Sequence, residues 1–121
     1  MIVKIDHIGK VVNELESSRN FYESLGFKIR YYFEKPEHGY RAIYLKKGKD
    51  AIEIFEFNDK KNPYAKIIDG HTALETDNIK ADLKKFIKQG YEIVSPIKKG
   101  ITAKKYASVK SRTHSFELLQ N

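Results

Sequence analysis

The chain opens on alternation. In MIVKIDHIGKVV, Val3, Ile5 and His7 fall on one side of an extended segment, which predicts a strand whose apolar side carries an imidazole. The period then lengthens. Leu15, Tyr22 and Leu25 share one side of a helix that Asn13 can cap, with Glu16 three residues on, and that Gly26 can end in left-handed geometry. Three alternating runs follow, FKIRYYF, YRAIYLK and AIEIFEF, the last two joined at the hairpin-like KKGKD. NDKKNPYAKIID contains a proline and reads as a linker with one helical turn. The same patterns then return: GHTAL as a strand, Asp77, Ile79, Leu83, Phe86, Ile87 and Gly90 as a capped helix, and YEIVS, KKYASVK and SFELL as strands.

The return is in register. At a shift of 64 residues His7 falls on His71, Asn13 on Asp77, Leu15 on Ile79, Tyr22 on Phe86, Gly26 on Gly90, Ile29 on Ile93 and Glu53 on Glu117, without a gap. The expected fold is therefore α+β, with two tandem β-α-β-β-β modules forming a curved sheet or barrel. Module 1 runs over about 1–57, a linker over 58–69 and module 2 over about 70–121, within one domain.

The repeat changes the reading of His7. A single histidine on an apolar face is ordinarily a hydrogen-bonded core residue. Here each half offers a histidine at its first strand and, 46 residues later, a glutamate on its last. Glu53 shares a face with Ala51 and Phe55, and Glu117 is flanked by Phe116 and Leu118, so both carboxylates fall among apolar neighbours. A buried carboxylate costs several kcal/mol unless it is protonated, paired or bound to a cation. Two in equivalent places ask for a shared metal ion, with His7, Glu53, His71 and Glu117 as its candidate ligands.

Composition narrows the chemistry. The chain has 121 residues and no cysteine, which leaves no thiolate nucleophile, disulfide or thiolate metal site, so a metal must rest on His, Asp and Glu. No apolar run approaches the ~18 residues of a membrane span or forms a signal peptide, and the expected location is cytoplasmic. Lys and Arg number 23 against 16 Asp and Glu, a net charge of +7. Lys98, Lys99, Lys104, Lys105, Lys110 and Arg112 lie in a stretch without an acid, suited to a small anionic substrate. No nucleic-acid-binding signature accompanies them. His38 in KPEHGY reads as a solvated loop residue, Arg41 as pairing with Glu34 or Glu37, and His114 as facing away from the metal.

IDHIGKVVNELESSRNFYESLGFKI, GHTALETDNIKADLKKFIKQGYEI, IEIFE and FELL resemble the opening elements and ligand-bearing last strands of the vicinal-oxygen-chelate superfamily. That group holds glyoxalase I, methylmalonyl-CoA epimerase, extradiol dioxygenases and bleomycin-binding proteins. The resemblance runs almost end to end and implies two modules around one divalent metal held by His7, Glu53, His71 and Glu117. Imidazole and carboxylate ligands permit Ni, Co, Zn or Mn, with Ni or Co placed first. The complete ligand set is similar to the isomerase and lyase branch. It implies a lactoylglutathione-lyase-like enzyme acting on the hemithioacetal of a 2-oxoaldehyde through an enediolate, with Glu117 as catalytic base and Glu53 as its counterpart. A second implied activity is epimerisation of an acyl-CoA, and a third is non-catalytic antibiotic binding. Epimerases usually show paired histidines where this chain has Gly70 and His71, which puts the glyoxalase first. Two open four-strand modules leave edges that want pairing, which predicts a homodimer; if its sites are built from both chains, as the resemblance allows, His7 and Glu53 of one protomer face His71 and Glu117 of the other.

Overall fold

The computed structural model of the chain describes every residue except His114, so the expectation that His114 faces away from the metal lies outside the described residues. The chain forms two compact units, one of His7–His71 and one of Met1–Asp6 with Thr72–Asn121. The elements run β1 (Ile2–Val11), α1 (Leu15–Ser24), β2 (Lys28–Lys35), β3 (Tyr40–Lys47), β4 (Asp50–Phe57), α2 (Pro63–Ile68), β5 (Thr72–Thr76), α3 (Ile79–Lys88), β6 (Glu92–Lys99), β7 (Lys105–Lys110) and β8 (Ser115–Gln120). The fold is α+β, and each half supplies β-α-β-β-β, as the sequence predicts. β1 starts in one unit and ends in the other.

In the His7–His71 unit, β2 pairs antiparallel with β3 and β3 with β4, while β4 pairs parallel with the end of β1. One face of these strands is aliphatic because the β3 and β4 alternation puts Ile43, Leu45 and Ile54 there. All three are buried with Leu15 of α1, and Tyr22 and Phe27 pack against them. The opposite face carries Ala42, Phe55 and Phe57, buried with Ala65 and Ile68 of α2. The expected linker thus provides six helical residues that cover the face bearing Glu53. Pro63 starts this helix where its missing N–H costs nothing, and the Asn62 side chain accepts the Tyr64 N–H at 2.9 Å.

In the other unit β5 pairs parallel with β8, β8 antiparallel with β7, and β7 with β6. Ile79 and Leu83 of α3 are buried with Ala107, Val109, Phe116 and Leu118. β6 continues through Pro96, and its register with β7 shifts between Ser95 and Lys98, where proline cannot donate to the ladder.

Two capping expectations need correction. Asn13 does not cap α1: Glu14 occupies the N-cap without a side-chain hydrogen bond, and the carboxylate of Glu56 accepts the Leu15 N–H at 2.9 Å. Asp77 does not cap α3: Asn78 does, accepting the Ala81 N–H at 3.2 Å, while the Gln120 side chain accepts the Ile79 N–H at 2.9 Å. Glu56 and Gln120 are themselves 64 residues apart, so the repeat includes a last-strand side chain reaching to its own module's helix. Gly26 and Gly90 do follow their helices with φ of 97° and 95°, where a side chain would be strained.

Candidate metal centre

His7 and Glu53 come together because β1 and β4 are adjacent and parallel. Gly9 lies opposite Glu53 in that ladder, and Tyr44 of β3 lies opposite it on the other side. His7 is 2% exposed and Glu53 6%, and His7 Nε2 stands 3.6 Å from Glu53 Oε1. The His7 ring meets Tyr44 edge-on, with centroids 5.5 Å apart.

His71 reaches the same place from the turn between α2 and β5, not from a strand as its repeat position suggested. Its main chain follows that turn: the His71 N–H donates to the Ile68 carbonyl, the His71 carbonyl accepts the Gly9 N–H at 2.8 Å, and Gly70 N–H donates to the Gly9 carbonyl at 2.9 Å. The histidine is 7% exposed, and its Nε2 is 3.4 Å from His7 Nε2. His7 thus has both Glu53 and His71 of its own chain beside it, which differs from the shared-site arrangement in which His7 faces the His71 of a partner protomer.

The protonation of His71 follows from its contacts. Nδ1 lies 2.6 Å from the Ile68 carbonyl oxygen, which can only accept, so Nδ1 carries the proton. Burial pushes the His71 imidazole down to about 4; the nearby His7 adds to this and the Ile68 hydrogen bond opposes it. At neutral pH the ring is therefore uncharged, with the Nε2 lone pair turned towards His7. A histidine held through one nitrogen by a carbonyl is ready to ligate a metal through the other.

His7 therefore has two buried neighbours at its Nε2, the His71 Nε2 at 3.4 Å and a Glu53 carboxylate oxygen at 3.6 Å. Nitrogens each about 2.1 Å from one divalent ion stand about 3.0–3.4 Å apart at coordination angles of 90–109°. The spacing of His7 and His71 matches one edge of such a polyhedron, and Glu53 offers a carboxylate oxygen beside it. The residues fit a divalent metal.

Glu117 belongs to the other unit, where its surroundings repeat those of Glu53. It faces Ala73 across the parallel ladder and Ser108 across the antiparallel one, each 64 residues beyond the neighbours of Glu53. It is half-buried. Burial, and then the charge of Glu117, raises the Tyr106 phenol.

The remaining expectations divide. Arg41 pairs with neither Glu34 nor Glu37: its Nε donates to Glu56 Oε1 at 2.8 Å, and the same carboxylate takes the Leu15 N–H. Those two hydrogen bonds, the Arg41 one first, hold the Glu56 carboxyl below its usual range. His38 is exposed but stacked on Tyr64, with centroids 5.0 Å apart. Lys98, Lys99, Lys104, Lys105, Lys110 and Arg112 are all exposed. Sequence reasoning missed Gly9 and Ile68. The one signal for Gly9 was that its counterpart at the 64-residue shift is Ala73.

Residues 4–114 match the family model described as the glyoxalase/bleomycin resistance protein/dioxygenase superfamily. The chain belongs to that superfamily. Solved structures with the same fold include a methylmalonyl-CoA epimerase variant of Streptomyces coelicolor in complex with 2-nitronate-propionyl-CoA, at 19% identity and a TM-score of 0.83, covering 100% of this chain and 99% of that one. The methylmalonyl-CoA epimerase of Mycobacterium tuberculosis is 20% identical with a TM-score of 0.81, over 98% of this chain and 88% of that one. A hypothetical protein of Bacillus halodurans C-125 is 24% identical with a TM-score of 0.80, over 98% and 94%. No curated protein matches the chain in sequence. The superfamily contains enzymes, both epimerases and glyoxalases, and its members typically bind a divalent metal. Among the described residues no helix is long and apolar enough to cross a membrane.

Proposed function

We propose that this member of the superfamily is a metal-dependent enzyme that moves a proton at the carbon next to a carbonyl in a small thiol-derived substrate. The observation that carries this reading is the buried His7 with His71 and Glu53 both beside its Nε2, and the Nδ1 of His71 committed to the Ile68 carbonyl so that its Nε2 faces His7. His7, His71 and Glu53 hold the metal, and Glu117 completes the set by its repeat equivalence to Glu53. When bound, a divalent ion supplies electrophilic polarisation of a substrate carbonyl, which acidifies the adjacent C–H.

The chain's own residues do the rest. Glu117, half-buried, accepts the proton and returns it, and Glu53 is its counterpart in the other module. His71 stays neutral and holds its ring on Ile68. Tyr44 and Phe55, edge-on to the two imidazoles, limit water around them. Return of the proton to the neighbouring carbon is a glyoxalase I reaction; return to the same carbon from the other side is an epimerisation.

Two substrates have specific support. The complete His, Glu, His, Glu set and the single histidine at 70–71 favour the hemithioacetal of a 2-oxoaldehyde. The fold shared with methylmalonyl-CoA epimerases, together with the exposed basic stretch 98–112, favours an acyl-CoA, whose phosphates that stretch would meet. The deciding experiment incubates the metal-loaded protein in D2O with methylmalonyl-CoA and, separately, with methylglyoxal and several thiols. Deuterium gain at C2 of the acyl-CoA selects the epimerase, and formation of a 2-hydroxyacyl thioester selects the glyoxalase. Turnover of neither overturns both.

We further propose a cytoplasmic homodimer. Val3 and Ile5, on one face of β1, are 60% and 61% exposed, an apolar pair that a second copy would cover. Sedimentation at the mass of one chain would refute it.

A further inference from the structure

Gly9 stands at the junction of the three converging side chains. It follows His7 by two residues, lies opposite Glu53 in the parallel ladder, and exchanges backbone hydrogen bonds with Gly70 and His71. Its conformation does not call for glycine, since its φ is not positive. Space does. A Cβ at Gly9 would fall inside the His71 imidazole, overlapping Cε1 and Nδ1 and lying 2.6 Å from Nε2. The obstacle is the ring itself, clamped by its own hydrogen bond to Ile68, so it cannot give way while keeping that bond.

The other module shows that the position does not demand glycine as such. Ala73, 64 residues on and opposite Glu117 as Gly9 is opposite Glu53, carries a methyl group and is 0% exposed. The two copies therefore differ by a side chain, and the bare one is the copy over which a histidine ring lies.

We propose that Gly9 is a positioning residue of the candidate metal centre: its bare Cα is the seat of the His71 imidazole, and its backbone fixes the main chain that delivers that ring. A methyl group at position 9 would turn the ring about χ1, breaking the Nδ1–H bond to Ile68 and carrying Nε2 away from His7. The seating is a property of the metal-free chain; only its consequence for metal affinity rests on the proposed function.

The test is a double-mutant cycle on the full chain: wild type, Gly9→Ala, His71→Ala and the double variant, each followed by thermal unfolding without metal and by Co²⁺ binding. Gly9→Ala is expected to lower the melting temperature in the wild-type background and to leave it nearly unchanged once His71 is alanine, because the collision is gone. If Gly9→Ala alone fails to fold, recovery of folding in the double variant carries the same meaning. Co²⁺ affinity is expected to fall about ten- to a hundredfold in Gly9→Ala and no further in the double variant than in His71→Ala. An equal melting shift in both backgrounds, failure to fold in both, or wild-type Co²⁺ affinity in Gly9→Ala would overturn the proposal. A wild-type protein that takes up none of Co²⁺, Ni²⁺, Zn²⁺ and Mn²⁺ would defeat the proposed function instead, and the melting cycle would still decide the role of Gly9.

Discussion

His71 gives its Nδ1 proton to the carbonyl oxygen of Ile68 across 2.6 Å, and this single bond sets the tautomer of the buried imidazole. The bond joins the last residue of α2 to the turn that follows it. A helix that the sequence pattern presents as a linker thereby orients a metal ligand.

Acidification should destabilise the metal-free protein. The folded-state value for His71 is about 4 against an ordinary 6.5, so the unfolded chain binds the proton more readily between those values. Stability is complete above pH 6.5, falls as the pH drops from 6.5 to 4, and loses on the order of 3 kcal/mol to this group in all. Urea unfolding of wild type and His71→Ala at pH 7, 5.5 and 4 checks it: the difference between the two should shrink towards low pH.

Glu53→Gln separates stability from metal binding. Without metal, a buried carboxylate beside the His7 imidazole costs desolvation, which the neutral amide avoids. The variant should melt at or above the wild-type temperature while losing at least about tenfold in Co²⁺ or Ni²⁺ affinity. Calorimetry read beside equilibrium dialysis measures both; a lower melting temperature with unchanged affinity would contradict the role given to Glu53.

Glu56 ties the strand that carries Glu53 to the start of α1, through the Leu15 N–H, and to Arg41. Glu56→Ala should cost about 1–2 kcal/mol, since it removes a helix-terminal acceptor and a partner of Arg41. Glu56→Gln, the residue found at the equivalent position 120, should recover most of that loss. Because the Glu56 carboxyl is held below its usual range, its contribution is present above pH 4.5 and is lost as the pH falls through the lowered folded value. Denaturant midpoints of the two variants at pH 7 and pH 3 provide the check.

The basic stretch distinguishes the two substrates. If it meets the phosphates of CoA, replacing Lys104 and Lys105 by glutamate should raise KM for an acyl-CoA several-fold, leave kcat unchanged, and flatten the dependence of KM on salt. Activity on a hemithioacetal, which carries no phosphate, should hardly respond.

Much of this organisation was legible in the sequence because periodicity and repetition are linear. The 64-residue shift, the strand and helix order and the positive-φ glycines after each helix all follow from local patterning. The capping errors show where local rules stop. Asn13 has the right chemistry for a cap, yet the Leu15 N–H is taken by Glu56, 41 residues away. Arg41 differs from its expected pairing for the same reason: Glu34 and Glu37 are near in sequence, while β3 and β4 bring Glu56 directly opposite it. Gly9 was invisible because the void it leaves is filled by a ring from position 71, and no spacing rule reports an unfilled volume.

A metal held by His7, Glu53 and His71 underlies the proposed reaction, and the most direct measurement is equilibrium dialysis of metal-stripped protein against Co²⁺, Ni²⁺, Zn²⁺ and Mn²⁺ at pH 7.5, with His71→Ala alongside. One tightly held ion per chain is expected for at least one of these metals, with at least about a tenfold weaker hold in His71→Ala. No stoichiometric uptake of any of the four, or equal uptake by wild type and His71→Ala, would contradict it.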